Sequence, residues 1–104
     1  MAKRRLCSLA DLPAGAARVF VVDGTSLAAA RSDTKVFVVE NRCSHDDGPL
    51  GEGTLFGLEL ECPRHGARFD VSSGRATRMP AVAPIETFAA TIDGGDVFVE
   101  MPEY

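Results

Sequence analysis

Histidine and cysteine are scarce in this chain of 104 residues, with two of the first and three of the second. Three cysteines exclude the dense disulfide framework that staples many small secreted domains. No apolar stretch approaches the roughly 20 residues that cross a bilayer as a helix, so no membrane anchoring is expected. Charge of one sign is also in short supply. The formal net charge is -4, which disfavours nonspecific binding to nucleic acid or to anionic lipid. Internal repeats and low-complexity tracts are missing as well. Lys3-Arg4-Arg5 opens in the manner of an export signal, but the apolar run behind it, Leu6-Cys7-Ser8-Leu9-Ala10, is stopped by Asp11 and Pro13 before it reaches the length a signal core needs. The chain is therefore expected in the cytoplasm, as a monomer.

What is present is punctuation. Glycine and proline break the chain into short segments whose apolar residues recur with the period of strands, and no segment has the length and spacing of a helix. Strands are expected over Arg4 to Leu9, Arg18 to Val22, Lys35 to Glu40, Leu55 to Glu61, Phe69 to Val71, Glu86 to Ile92 and Asp96 to Met101. Leu27-Ala28-Ala29-Ala30 has helical propensity, but turns flank it too tightly for a helix, and Ser26 to Arg31 is read as a further strand. Asp93-Gly94-Gly95 closes a terminal hairpin. These segments describe one all-β domain, residues 1–104, built as an antiparallel β-sandwich. Residues 1–41 and 80–104 form its base, and residues 42–79 carry the functional loops.

Those loops hold most of the scarce residues. Cys43-Ser44-His45 is followed, after sixteen intervening residues, by Cys62-Pro63-Arg64-His65, so both histidines stand at short offsets from cysteines. A lone histidine is most often structural, but two at matched offsets from two cysteines point to metal ligation. Cys-x-His is a tight reach for chelating one tetrahedral ion, which favours a cluster whose two irons let neighbouring residues bind different metals. A zinc-stabilised interaction module remains the alternative. Cys7, left over, reads as a small buried residue of the first strand rather than a reactive thiol.

Cys43-Ser44-His45-Asp46-Asp47-Gly48-Pro49-Leu50 and Cys62-Pro63-Arg64-His65-Gly66-Ala67-Arg68-Phe69-Asp70 resemble the two cluster-binding loops of the Rieske family, in particular its small soluble ferredoxins. The resemblance implies a Rieske-type antiparallel sandwich with a small cluster-binding subdomain and one [2Fe-2S] cluster. It places Cys43 and Cys62 on the inner iron and His45 and His65 on the outer one, with Gly48, Pro49 and Gly66 shaping the loops. It implies an electron carrier that passes single electrons from an NAD(P)H-dependent flavoprotein reductase to a terminal non-haem iron oxygenase or similar acceptor. The resemblance does not single out that acceptor, since similar proteins look to accompany iron-sulfur assembly, and a redox sensor is a further alternative. No substrate chemistry is expected, because no histidine is left over for a second iron centre.

The departures from the respiratory branch of the family are informative. That branch has a disulfide joining its two loops, and Gly48 and Arg64 stand where its cysteines would fall. It also has a serine and a tyrosine that donate hydrogen bonds to cluster or ligand sulfur, and Ala67 and Phe69 stand in their places. Two ferric ions, two sulfides and two thiolates sum to zero, so the reduced form carries the extra negative charge that such donors would stabilise. With those donors missing and acidic residues around the loops, the potential is expected near about -150 mV rather than about +300 mV. Pro49 and Leu50 are expected to offer a partner an apolar contact at the tip.

Overall fold

A computed structural model describes residues 2–44 and 46–102; His45 lies outside the described residues. The chain opens with β1 (Ala2–Ser8), β2 (Ala16–Val22), β3 (Thr25–Ser32) and β4 (Lys35–Glu40). Four short strands follow, β5 (Thr54–Phe56), β6 (Glu59–Glu61), β7 (Arg68–Asp70) and β8 (Ala76–Arg78). It closes with β9 (Thr87–Phe88), β10 (Ala90–Asp93) and β11 (Asp96–Met101). Every pairing is antiparallel, in three sheets ordered β1-β11-β10, β2-β3-β4-β9 and β5-β6-β7-β8. The helical turns among the described residues are two 3-10 turns, Leu9–Asp11 and Leu50–Glu52. The architecture is all-β and antiparallel throughout.

The alanine run is the strand on which the core is hung. Leu27 and Ala29 face one buried cluster with Val36, Val38, Val97 and Val99, while Ala28 and Ala30 face another with Leu50, Leu60 and Phe69. A strand buried on both faces reads as a continuous apolar run, and its alanines let the layers approach closely. That placement overrides the helical propensity of Leu27-Ala28-Ala29-Ala30. Cys7 is buried in the first cluster, where burial pushes its thiol pKa up and the Asp11 carboxylate adds to the effect. It behaves as a packing residue.

Two expected strands divide. Leu55 to Glu61 folds into a hairpin in which Phe56 opposes Glu59. The intervening turn, Gly57-Leu58, has Gly57 at φ +63, which puts Leu58 outside rather than beside buried Leu60. Glu86 to Ile92 breaks at Ala89: β9 pairs with β4 and β10 with β11, so the chain changes sheets there. β8, unanticipated, completes the third sheet beside β7.

Candidate metal centre

Cys43 and Cys62 are each set by a loop closed in the same way. The Cys43 amide donates to the Gly48 carbonyl at 2.9 Å, and the Asp47 amide returns to the Cys43 carbonyl at 2.8 Å. In the second loop the Cys62 amide donates to the Ala67 carbonyl at 2.7 Å, and the Gly66 amide to the Cys62 carbonyl at 3.3 Å. Each loop turns back through a residue of positive φ at the same offset, Asp47 at 60° and Gly66 at 76°. Glycine adopts that conformation without strain, and aspartate is among the side chains that tolerate it. Two equivalent knuckles thus present two thiols to each other.

The thiols are buried, at 0% and 1% exposure, and neither is in a disulfide. Cys43 Sγ, Cys62 Sγ and a carboxylate oxygen of Asp46 lie within 4.8 Å of one another. A tetrahedral metal with bonds of about 2.3 Å to sulfur holds two sulfurs about 3.8 Å apart, so this donor pair fits one iron of a cluster. His65, from the second loop, meets Asp46 at the edge of this group. Its Nδ1 is 3.2 Å from Asp46 Oδ2, while the ring is largely exposed. Of the four residues the sequence singles out, the structure brings Cys43 and Cys62 together and places His65 against Asp46 at the edge of that group; His45 is the one outside the described residues.

Asp46 is a site residue that sequence reasoning missed as such, since it reads there as one of the acids near the loops that would orient a partner. Its Oδ1 accepts the Gly48 amide at 2.9 Å. That bond holds its carboxyl below the ordinary carboxylate range against partial desolvation, with the Arg64 guanidinium assisting. The available signal was its place in a knuckle, two residues before a glycine, where an aspartate side chain typically caps its own turn. Several other acids near the loops are paired with arginines. Asp47 and Glu40 hold Arg42 at 2.7 Å each, and Glu61 receives Arg68 at 3.0 Å and Arg78 at 3.4 Å. Asp46 is the carboxylate nearest the thiols among the described residues.

Loop bracing follows from these contacts. Ser44 Oγ donates to the Ala83 carbonyl at 2.6 Å, tying the first knuckle to the segment that returns from β8. A Cβ added at Gly48 would stand 3.1 Å from Arg64 Cδ, so the two positions without the disulfide cysteines lie side by side. Leu50 is fully buried, which corrects its expected role as a docking contact: it packs beneath the loop with Leu60 and Phe69.

A pair of matched knuckles at one end of a small sandwich, with convergent thiols and an imidazole, defines an iron-sulfur carrier domain. The sequence matches the Rieske [2Fe-2S] domain over residues 3–89. The chain is 33% identical over 98 residues to the 3-phenylpropionate/cinnamic acid dioxygenase ferredoxin subunit of Escherichia coli (strain K12), covering 93% of this chain and 92% of that one. The ferredoxin of carbazole 1,9a-dioxygenase from Nocardioides aromaticivorans IC177 superposes with a TM-score of 0.91 at 34% identity, over 95% of this chain and 97% of that chain. A solved complex of reduced oxygenase and oxidized ferredoxin in carbazole 1,9a-dioxygenase matches with a TM-score of 0.86 at 32% identity, over 93% of this chain and 91% of that chain. The chain belongs to the Rieske [2Fe-2S] family. Within it this is a ferredoxin with a [2Fe-2S] cofactor, an electron carrier rather than a catalyst.

Proposed function

We propose that Cys43 and Cys62 bind the inner iron of the cluster and His45 and His65 the outer iron. In this reading the protein carries single electrons from an NAD(P)H-dependent flavoprotein reductase to a terminal non-haem iron oxygenase in the cytoplasm. The observation that carries the ligand assignment is the pair of equivalent knuckles, which bury two thiols within 4.8 Å and leave His65 largely exposed beyond them. The oxygenase as acceptor is supported by the relatives, one of which was solved in complex with its oxygenase. No helix of the described residues is long and apolar enough to cross a membrane.

When bound, the cluster supplies a one-electron couple of mixed Cys/His character. The chain's residues do the rest. Backbone amides donating to carbonyls across each knuckle fix the thiols, and burial around Cys43 and Cys62 excludes water from their side of the site. His65 presents the opposite side to solvent, where an acceptor can approach. The strand positions support dividing the chain into a base and a cluster-binding part: β5 to β8 fall inside 42–79, and the other seven strands fall inside 1–41 and 80–104.

Protein prepared anaerobically is expected to hold two irons and two acid-labile sulfides per chain, and after dithionite reduction to give the anisotropic paramagnetic signal of a mixed Cys/His cluster. Stoichiometric zinc without visible absorbance, persisting after reconstitution with iron and sulfide, would overturn the reading.

A further inference from the structure

We propose that Cys43, Asp46, Cys62 and His65 form a second, mononuclear metal site, which takes a thiophilic divalent cation such as zinc when the chain carries no cluster. Cys43 and Asp46 are separated by two residues, as are Cys62 and His65. That is the spacing with which single-ion knuckles chelate, whereas Cys43 and His45 have one residue between them, a tight reach for one tetrahedral ion. The geometry follows the spacing. Both thiols and the Asp46 carboxylate already converge within 4.8 Å.

His65 stands beside Asp46, outside the group of three, and its exposed ring would complete the set by turning toward the thiols. Its Nδ1 stands 3.2 Å from Asp46 Oδ2, close to the edge, about 3.3 Å, of a tetrahedron whose metal–nitrogen and metal–oxygen bonds are about 2.0 Å. The Asp46 carboxylate is aimed by the Gly48 amide on its other oxygen, the kind of support that ligating carboxylates require. Two thiolates with an imidazole and a carboxylate suit zinc or cobalt, not magnesium or calcium. Binding displaces both thiol protons and involves no electron transfer. The two metal states share Cys43, Cys62 and His65, and they differ in whether His45 or Asp46 supplies the remaining ligand.

The full chain, freed of cluster anaerobically with its thiols reduced, would be titrated with cobalt(II) and then zinc. One cobalt per chain is expected, with tetrahedral ligand-field bands and sulfur-to-cobalt charge transfer, displaced by zinc. Asp46→Asn retains an oxygen acceptor for the Gly48 amide, and should bind cobalt at least about tenfold more weakly yet take up the cluster from iron and sulfide. His45→Ala should show the reverse, losing the cluster while binding cobalt within about threefold of the parent. Asp46→Cys adds a thiolate and should raise the charge-transfer intensity by about half. Cobalt binding abolished by His45→Ala but unaffected at position 46, or unchanged charge transfer in Asp46→Cys, would overturn the proposal. Neither result would touch the cluster assignment, which rests on iron and sulfide content.

Discussion

Ala67 and Phe69 are both fully buried in the cluster of side chains that contains Cys43 and Cys62. Neither side chain has a donor, so nothing at these positions stabilises the negative charge that reduction adds. Restoring donors with Ala67→Ser and Phe69→Tyr is expected to raise the midpoint potential, read by redox titration. A hydrogen bond about 1 kcal/mol stronger to the reduced form corresponds to about 40 mV. An unchanged potential in a variant with intact cluster spectrum would mean that the new hydroxyls point elsewhere. Leu50 makes a different demand. It is sealed beneath the first knuckle, so Leu50→Ala should cost about 2–5 kcal/mol of stability by denaturant titration, the range for truncating a buried leucine. Electron transfer per remaining cluster should be unaltered, which a docking residue would not permit.

Between strands, the close approaches are made by glycines. Gly74 has φ +80, and its amide and carbonyl engage Asp70 at 2.7 Å and Ile85 at 2.8 Å, so the turn after β7 is stitched to the segment entering β9. A Cβ there would lie 2.2 Å from the Ile85 carbonyl oxygen. Gly74→Ala combines that overlap with an unfavourable backbone region and should destabilise the holoprotein by about 3 kcal/mol, seen as a lower urea midpoint. A midpoint unchanged from the parent would show that the turn relaxes freely. This join was not legible in the sequence, where Ser72-Ser73-Gly74 marks a turn and nothing names its distant partner. The strands that were legible, such as Lys35 to Glu40, carry β-branched residues bounded by turn residues. Leu55 to Glu61 and Glu86 to Ile92 were misread as single strands because Gly57 and Ala89 break them through pairing, which composition does not encode. The two knuckles were legible as motifs, since local spacing fixes them. Asp46 was not, because its importance comes from His65 nineteen residues away.

The two most exposed large apolar side chains among the described residues share one segment. Val82 is 82% exposed and Met79 75%, on the segment between β8 and β9. Ala81 from the same segment is buried against the core that contains both thiols, and Ala83 accepts the Ser44 hydroxyl, so this segment lies against the first knuckle. Met79 and Val82 are therefore expected to make the partner contact that buried Leu50 cannot. Transient redox contacts are small, and a few apolar side chains supply much of their affinity while leaving release fast. Replacing Met79 and Val82 together with serine forfeits part of the roughly 1.5–3 kcal/mol that burying each would contribute. Transfer to the oxygenase at subsaturating acceptor should then fall about tenfold in stopped-flow measurements, with cluster spectrum and potential unchanged. Val21, 69% exposed on edge strand β2, provides the control: Val21→Ser should leave the rate as it was. Should Val21→Ser slow transfer while the Met79 and Val82 pair does not, the acceptor docks on that edge rather than beside the knuckles.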